Sequence, residues 1–167
     1  MSQINAASTV LSQVLPRAFA LLPEAMLSDK AAVMLLAIGL QESRLSARRQ
    51  MEHGPARGLW QFEITGVTGV LNHHSSHRYA LNICDMRGID TVPVLIHDQL
   101  ANDDVLAACF ARLLLWTDAE PLPAIVDQEA GWQYYLRNWR PGRPRPADWP
   151  RNHSAAASVV TYAREFP

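Results

Sequence analysis

Residues 31–37 read Ala-Ala-Val-Met-Leu-Leu-Ala, without one polar side chain, and they run straight into Ile38-Gly39-Leu40-Gln41-Glu42-Ser43. Ser28 before this stretch is a good N-cap and Asp29 suits a first turn, so the pattern predicts a buried helix over 29–42. Upstream, Ile4, Val10, Leu11 and Leu15 keep helical spacing over 3–15, and Pro16 ends or kinks that helix, with a short turn over 17–22. Downstream, 46–58 is punctuated by Gly54-Pro55 and Gly58 and reads as loop. Segment 59–64, LWQFEI, fits a short strand or the start of a turn. Short helices are expected at 66–72 and 78–86, around the polar run HHSSH. The clearest later helix is 103–117, capped within Asn102-Asp103-Asp104. An aromatic helix follows over 125–139, and Asn152 is the expected cap of a last helix, 153–164. Strand signals are few and no repeat is evident. The expected fold is mainly α, one domain, with a small or vestigial β region.

The oddity in this pattern is Glu42. Helical neighbours on its face are Gly39, Ile38, Leu35 and Met34, so the glutamate continues an apolar stripe. It also lies at the negative end of the helix dipole. Both features disfavour a carboxylate and raise its pKa, which is what a general acid near neutral pH requires. The alternative is a helix-end glutamate turned to solvent, or paired with Arg44 or Arg48.

Composition narrows the choices. The chain has 167 residues, 49% hydrophobic, enough for a real core. Its net charge of −1 argues against a general nucleic-acid binder. Lys30 is the single lysine against fourteen arginines, and the one basic cluster is Arg137, Arg140, Arg143 and Arg145. That cluster is either a functional patch or a solvated surface. Cys84 and Cys109 have no metal-binding spacing, and two buried thiols are expected rather than a disulfide. His73, His74 and His77 have only Asp85 close in sequence, so they read as a polar loop and no metal or cofactor is expected. The N-terminal segment lacks the basic start and unbroken apolar run of a signal peptide, and no transmembrane stretch is present. Synthesis in the cytoplasm without export by a signal peptide is the expectation.

Gly58-Leu59-Trp60-Gln61 follows Glu42-Ser43 after the glycine-proline loop. This pair of motifs resembles the lysozyme-like lytic transglycosylases (goose-type and soluble lytic transglycosylase-like domains), which carry Glu-Ser and then Gly-Leu-Met-Gln. Trp60 stands where the family has methionine. Ala80-Leu81-Asn82-Ile83, with Gly88 beyond it, is similar to the family's Asn-Ile followed by glycine. The family's Ala-Tyr-Asn-Ala-Gly is absent, and GWQYYLRNWRPG is the nearest segment, offering Tyr134, Tyr135 and Asn138. The likeness spans about residues 28–139. The stretch GPARGLWQFE also looks like lysozyme-like proteins of phages and prophages, which often belong to a virion or tail.

The resemblance implies a lysozyme-like fold that cleaves peptidoglycan between N-acetylmuramic acid and N-acetylglucosamine. It implies a single catalytic glutamate, Glu42, acting first as acid and then as base, with the substrate's N-acetyl group replacing a second carboxylate. The muramoyl 6-hydroxyl, not water, would then close a 1,6-anhydro ring. Substrate contacts are expected from Ser43, Trp60, Gln61 and Asn82, and from Tyr135 with Asn138, which share a helix face. Gln61 offers a donor and an acceptor, and Trp60 a sugar-stacking face or a core indole. If Glu52 or Glu63 faced Glu42 across a cleft, two-carboxylate hydrolysis would be the better reading. Glycan strands are the expected partner, with phage proteins possible and nucleic acid not. A lysozyme-like binding or structural module without turnover is the rival, and an unrelated helical regulatory domain a weaker third.

Overall fold

A computed structural model describes residues 2–50 and 54–166. In chain order the helices are α1 (Gln3–Gln13), α2 (Leu15–Phe19), α3 (Asp29–Ser43), α4 (Ile64–Asn72), α5 (His77–Met86), α6 (Pro93–Gln99), α7 (Asp104–Trp116), α8 (Gln128–Trp139) and α9 (Trp149–Glu165). The fold is mainly α, and no strand forms among the described residues. The 59–64 segment is turn and helix start, with two isolated bridges, Arg49 to Arg57 and Arg57 to Phe62.

Two helices carry the core. Every residue of α3 from Ala31 to Gln41 is buried, which is why its sequence shows no polar face. It packs against α1, α7 and α9. The Ser28 hydroxyl accepts from the Ala31 N–H at 3.1 Å, the expected cap. In α7 the residues from Val105 to Leu113 are all buried, and α2, α3, α4 and α5 surround it. Its cap is Asp103, whose Oδ1 accepts from Val105 and Leu106 N–H groups at 3.1 and 3.0 Å. Cys84 and Cys109 are separate buried thiols. Burial pushes the Cys109 thiol up to about 12, so it is inert near neutral pH.

Two elements differ from the sequence reading. Helix α6 was not expected, because Val94 and Leu95 point outward while Ile96 and His97 point inward, leaving no apolar stripe. Pro93 looks like a breaker but occupies the first turn, where its missing N–H costs nothing. The last helix starts at Trp149, and Asn152 is not its cap. Asn152 is buried inside the helix, where its Nδ2 donates to Gln41 Oε1 and its Oδ1 accepts from Gln3 Nε2, both at 2.8 Å. This chain of amides ties α9, α3 and α1 together.

Among the described residues no helix is long and apolar enough to cross a membrane.

Candidate functional site

Helix α3 ends because Arg44 adopts a left-handed conformation, φ 59°, with its N–H bonded back to the last turn. Leu45 then folds under Gly39. A Cβ on Gly39 would clash with Leu45 Cδ2, so glycine is what lets Leu45 approach, while Trp60 Nε1 would still stand at ordinary contact distance. Residues 57–62 form a closed turn. Arg57 and Phe62 exchange backbone hydrogen bonds at 2.9 and 2.8 Å, and the Gln61 N–H bonds to the Gly58 carbonyl. The turn needs Gly58 at φ 75°, where a Cβ would meet the Leu100 carbonyl at 2.7 Å.

The two motifs of the sequence dock on each other. Ser43 is buried, and its hydroxyl donates to the Leu59 carbonyl at 2.6 Å. Trp60 is fully buried, and its indole N–H donates to the Leu35 carbonyl at 2.8 Å. Both were expected to touch substrate, and neither reaches the cleft, because their polar atoms are spent in this contact. His97 of α6 supports the turn from behind, its Nε2 donating to the Phe62 carbonyl at 2.8 Å. From the other side Trp139 donates to the Trp60 carbonyl at 3.0 Å and packs edge-on against Phe62.

Glu42 lies between Gln41 and Ser43, and is turned differently from either. It lines an open cleft of about 980 Å³, together with Gln61, Phe62, Glu63, Thr65, His73, Tyr135, Asn138, Trp139 and the arginines of 137–145. The carboxylate is half-buried. Burial raises its pKa above the ordinary 4.5, and Glu63 adds to the rise. A hydrogen bond from Tyr135 and the nearby Arg145 charge oppose it without cancelling it. The Tyr135 hydroxyl donates to Glu42 Oε1 at 2.6 Å, the length of a charge-assisted bond. Burial and the neighbouring glutamate hold the Tyr135 phenol well above its usual range, so it stays a donor. Its ring is clamped by Trp149, stacked at 5.3 Å and 14°. Neither expected alternative partner claims Glu42: Arg48 forks onto Asp104 at 2.8 and 2.5 Å, and Arg44 is exposed.

The remaining expectations separate. Gln61 sits in the cleft at φ 49°, with its Nε2 given to the Gly58 carbonyl at 2.9 Å, which leaves Oε1 for a ligand. Asn138 lines the cleft, but its amide donates to Asp118 at 2.7 Å and to the Tyr134 carbonyl at 2.9 Å. Tyr134 is core, its hydroxyl donating to the Leu115 carbonyl. Asn82, the other expected substrate contact, lies exposed on α5 and is not among the residues that line the cleft. Glu63 is exposed and shares the cleft with Glu42. Glu52 falls outside the described residues. Among those residues no three or more His, Cys, Asp or Glu side chains could hold a metal ion.

One participant was missed, and Arg145 of the basic cluster is its partner. Gln41 is buried, its Nε2 donating to the Arg145 carbonyl at 3.0 Å. Arg145 in turn donates to the Gln41 carbonyl, which pins the proline-rich segment over the end of α3. A buried glutamine beside a glutamate was the available signal, but its partners lie over a hundred residues away. No family model, curated protein or solved structure matches the chain.

Proposed function

We propose that this chain is a lysozyme-like enzyme that cleaves peptidoglycan glycan strands, with Glu42 as its acid and base. The observation that carries this reading is the Glu42 carboxyl. It is half-buried at a helix C-terminus, opens into the cleft, and receives the Tyr135 hydroxyl. A carboxyl whose pKa is raised can give its proton to the glycosidic oxygen as the sugar C1–O bond breaks. The resulting carboxylate then takes a proton from the acceptor hydroxyl. In transglycosylation that acceptor is the muramoyl 6-hydroxyl, and the new bond from O6 to C1 closes the anhydro ring. Tyr135 positions the carboxyl, and its donated hydrogen bond stabilises the anion left after the first transfer. Gln61 Oε1 and the rim arginines are placed to meet the sugar and its substituents.

Hydrolysis is the second reading, favoured by Glu63 in the same cleft as Glu42. In that case Glu63 would direct a water to C1. Action at the cell wall, in company with phage particle proteins, rests on the likeness of GPARGLWQFE alone.

Mass analysis of fragments released from purified peptidoglycan tests the reading. Anhydromuropeptides from wild type, absent with Glu42→Gln, support transglycosylation. Reducing-end products lost in both Glu42→Gln and Glu63→Gln would assign hydrolysis. Binding without release would leave only the non-catalytic module.

A further inference from the structure

Four of the fourteen arginines fall within residues 137–145, and all four line the cleft. Their situations differ. Arg137 Nε donates to Asp118 at 2.8 Å. Arg145 is held by the Gln41 carbonyl and lies 3.8 Å from Asp148. Arg140 and Arg143 are exposed and pair with no carboxylate among the described residues. The Arg140 side chain makes a single 3.4 Å contact, with the Arg137 carbonyl.

The backbone presenting these two cations is pinned at both ends. Arg140 takes the left-handed conformation that closes α8, its N–H bonded to the Leu136 carbonyl. Pro141, Pro144 and Pro146 fix φ along the strap. Trp139 anchors its start to the Trp60 carbonyl, and Arg145 anchors its end to Gln41. Two guanidinium groups on one cleft rim, with no carboxylate partner among the described residues, gain no ion pair inside the protein. Each guanidinium presents a fork that grips a planar anion bidentately. The same cleft holds Glu42 and Glu63, which disfavour a polyphosphate chain running through it.

We propose that Arg140 and Arg143 form a carboxylate-binding subsite on the rim of the cleft, selecting glycan strands that carry free acidic peptide groups over neutral strands. This specificity rests on the peptidoglycan reading above, and it adds the substrate class. Strands whose stem carboxylates are free are gripped, and strands whose carboxylates are amidated are not.

Binding measured on the Glu42→Gln protein tests this independently of turnover. The probes are a muramoyl disaccharide-peptide with free carboxylates and the same molecule fully amidated, titrated by calorimetry. The free acid is expected to bind about tenfold tighter, as charge-assisted hydrogen bonds imply. The ratio of the two affinities should fall towards one in E42Q/R140Q/R143Q, recover in part with lysine at both positions, and shrink as salt is raised. Equal affinity for the two probes, binding of neither, or a ratio unchanged by the arginine substitutions overturns the proposal. So does tighter binding of a duplex oligonucleotide that the same substitutions abolish. Failure of the glycan-cleavage reading is a separate result: wild type releases nothing from peptidoglycan while the preference for the acidic probe persists.

Discussion

The contact between α3 and the 57–62 turn, and the cleft wall beyond Glu42, use similar residues and treat polar atoms in opposite ways. In the contact the buried polar groups of Ser43, Trp60 and His97 each find a backbone carbonyl: Leu59, Leu35 and Phe62 in turn. Such pairing is what a buried polar group requires. On the cleft wall Glu42 receives one hydrogen bond among the described residues, and Arg140 and Arg143 face no carboxylate. Three neighbouring residues, Gln41, Glu42 and Ser43, straddle this boundary. Their order in the chain gives one motif, and their environments give scaffold, chemistry and scaffold again.

The sharpest way to separate the two regions is Glu42→Gln. Loss of a general acid should lower the rate of muropeptide release about a thousandfold. Stability should move the other way. Glu42 has a raised pKa in the folded protein, so its contribution is fully present below the ordinary 4.5 and is lost as pH rises through the folded value. Glutamine does not ionise, so Glu42→Gln should resist urea better than wild type at pH 7, with the gap closing near pH 4. Trp60→Ala strikes the contact instead. Removing this fully buried indole should cost about 3–5 kcal/mol in denaturant unfolding, with activity lost only as the protein unfolds.

Tyr135→Phe probes the boundary itself. It removes a hydrogen bond that favours the carboxylate, so Glu42 should hold its proton to higher pH. The alkaline limb of the rate profile should shift upward, with turnover down about tenfold. Ser43→Ala should cost about 1–2 kcal/mol by stranding the Leu59 carbonyl, and it should leave the pH profile in place. Asn82→Ala, on an exposed face of α5, should change stability by less than about 0.5 kcal/mol and turnover not at all. A larger effect there would draw the cleft around to α5.

These contrasts also mark what a sequence can reveal. Helix α3 was legible because its cap, its apolar run and its misplaced carboxylate are all local signals. The Tyr135–Glu42 bond was partly legible, since a helical face paired Tyr135 with Asn138, but the span of 93 residues between the two groups carries no local trace. Ser43 and Trp60 were visible as motif residues, Ser43 expected at the substrate and Trp60 open between a sugar-stacking face and a core indole. Their roles depend on which carbonyl each meets across the fold, and periodicity does not encode that. Asn152 looked like a helix cap because caps are local, whereas its partner Gln41 is distant. Helix α6 escaped because half of its apolar residues face solvent.

The proposed chemistry depends on burial raising the pKa of the Glu42 carboxyl. A carbon-detected NMR titration of the glutamate side chains, with the Glu42 signal assigned by its absence in Glu42→Gln, measures this directly. The expected midpoint lies above the ordinary glutamate value of 4.5 and rises further in Tyr135→Phe. A midpoint at or below 4.5 would contradict it, and Glu42 would then be a solvated helix end with no proton to give.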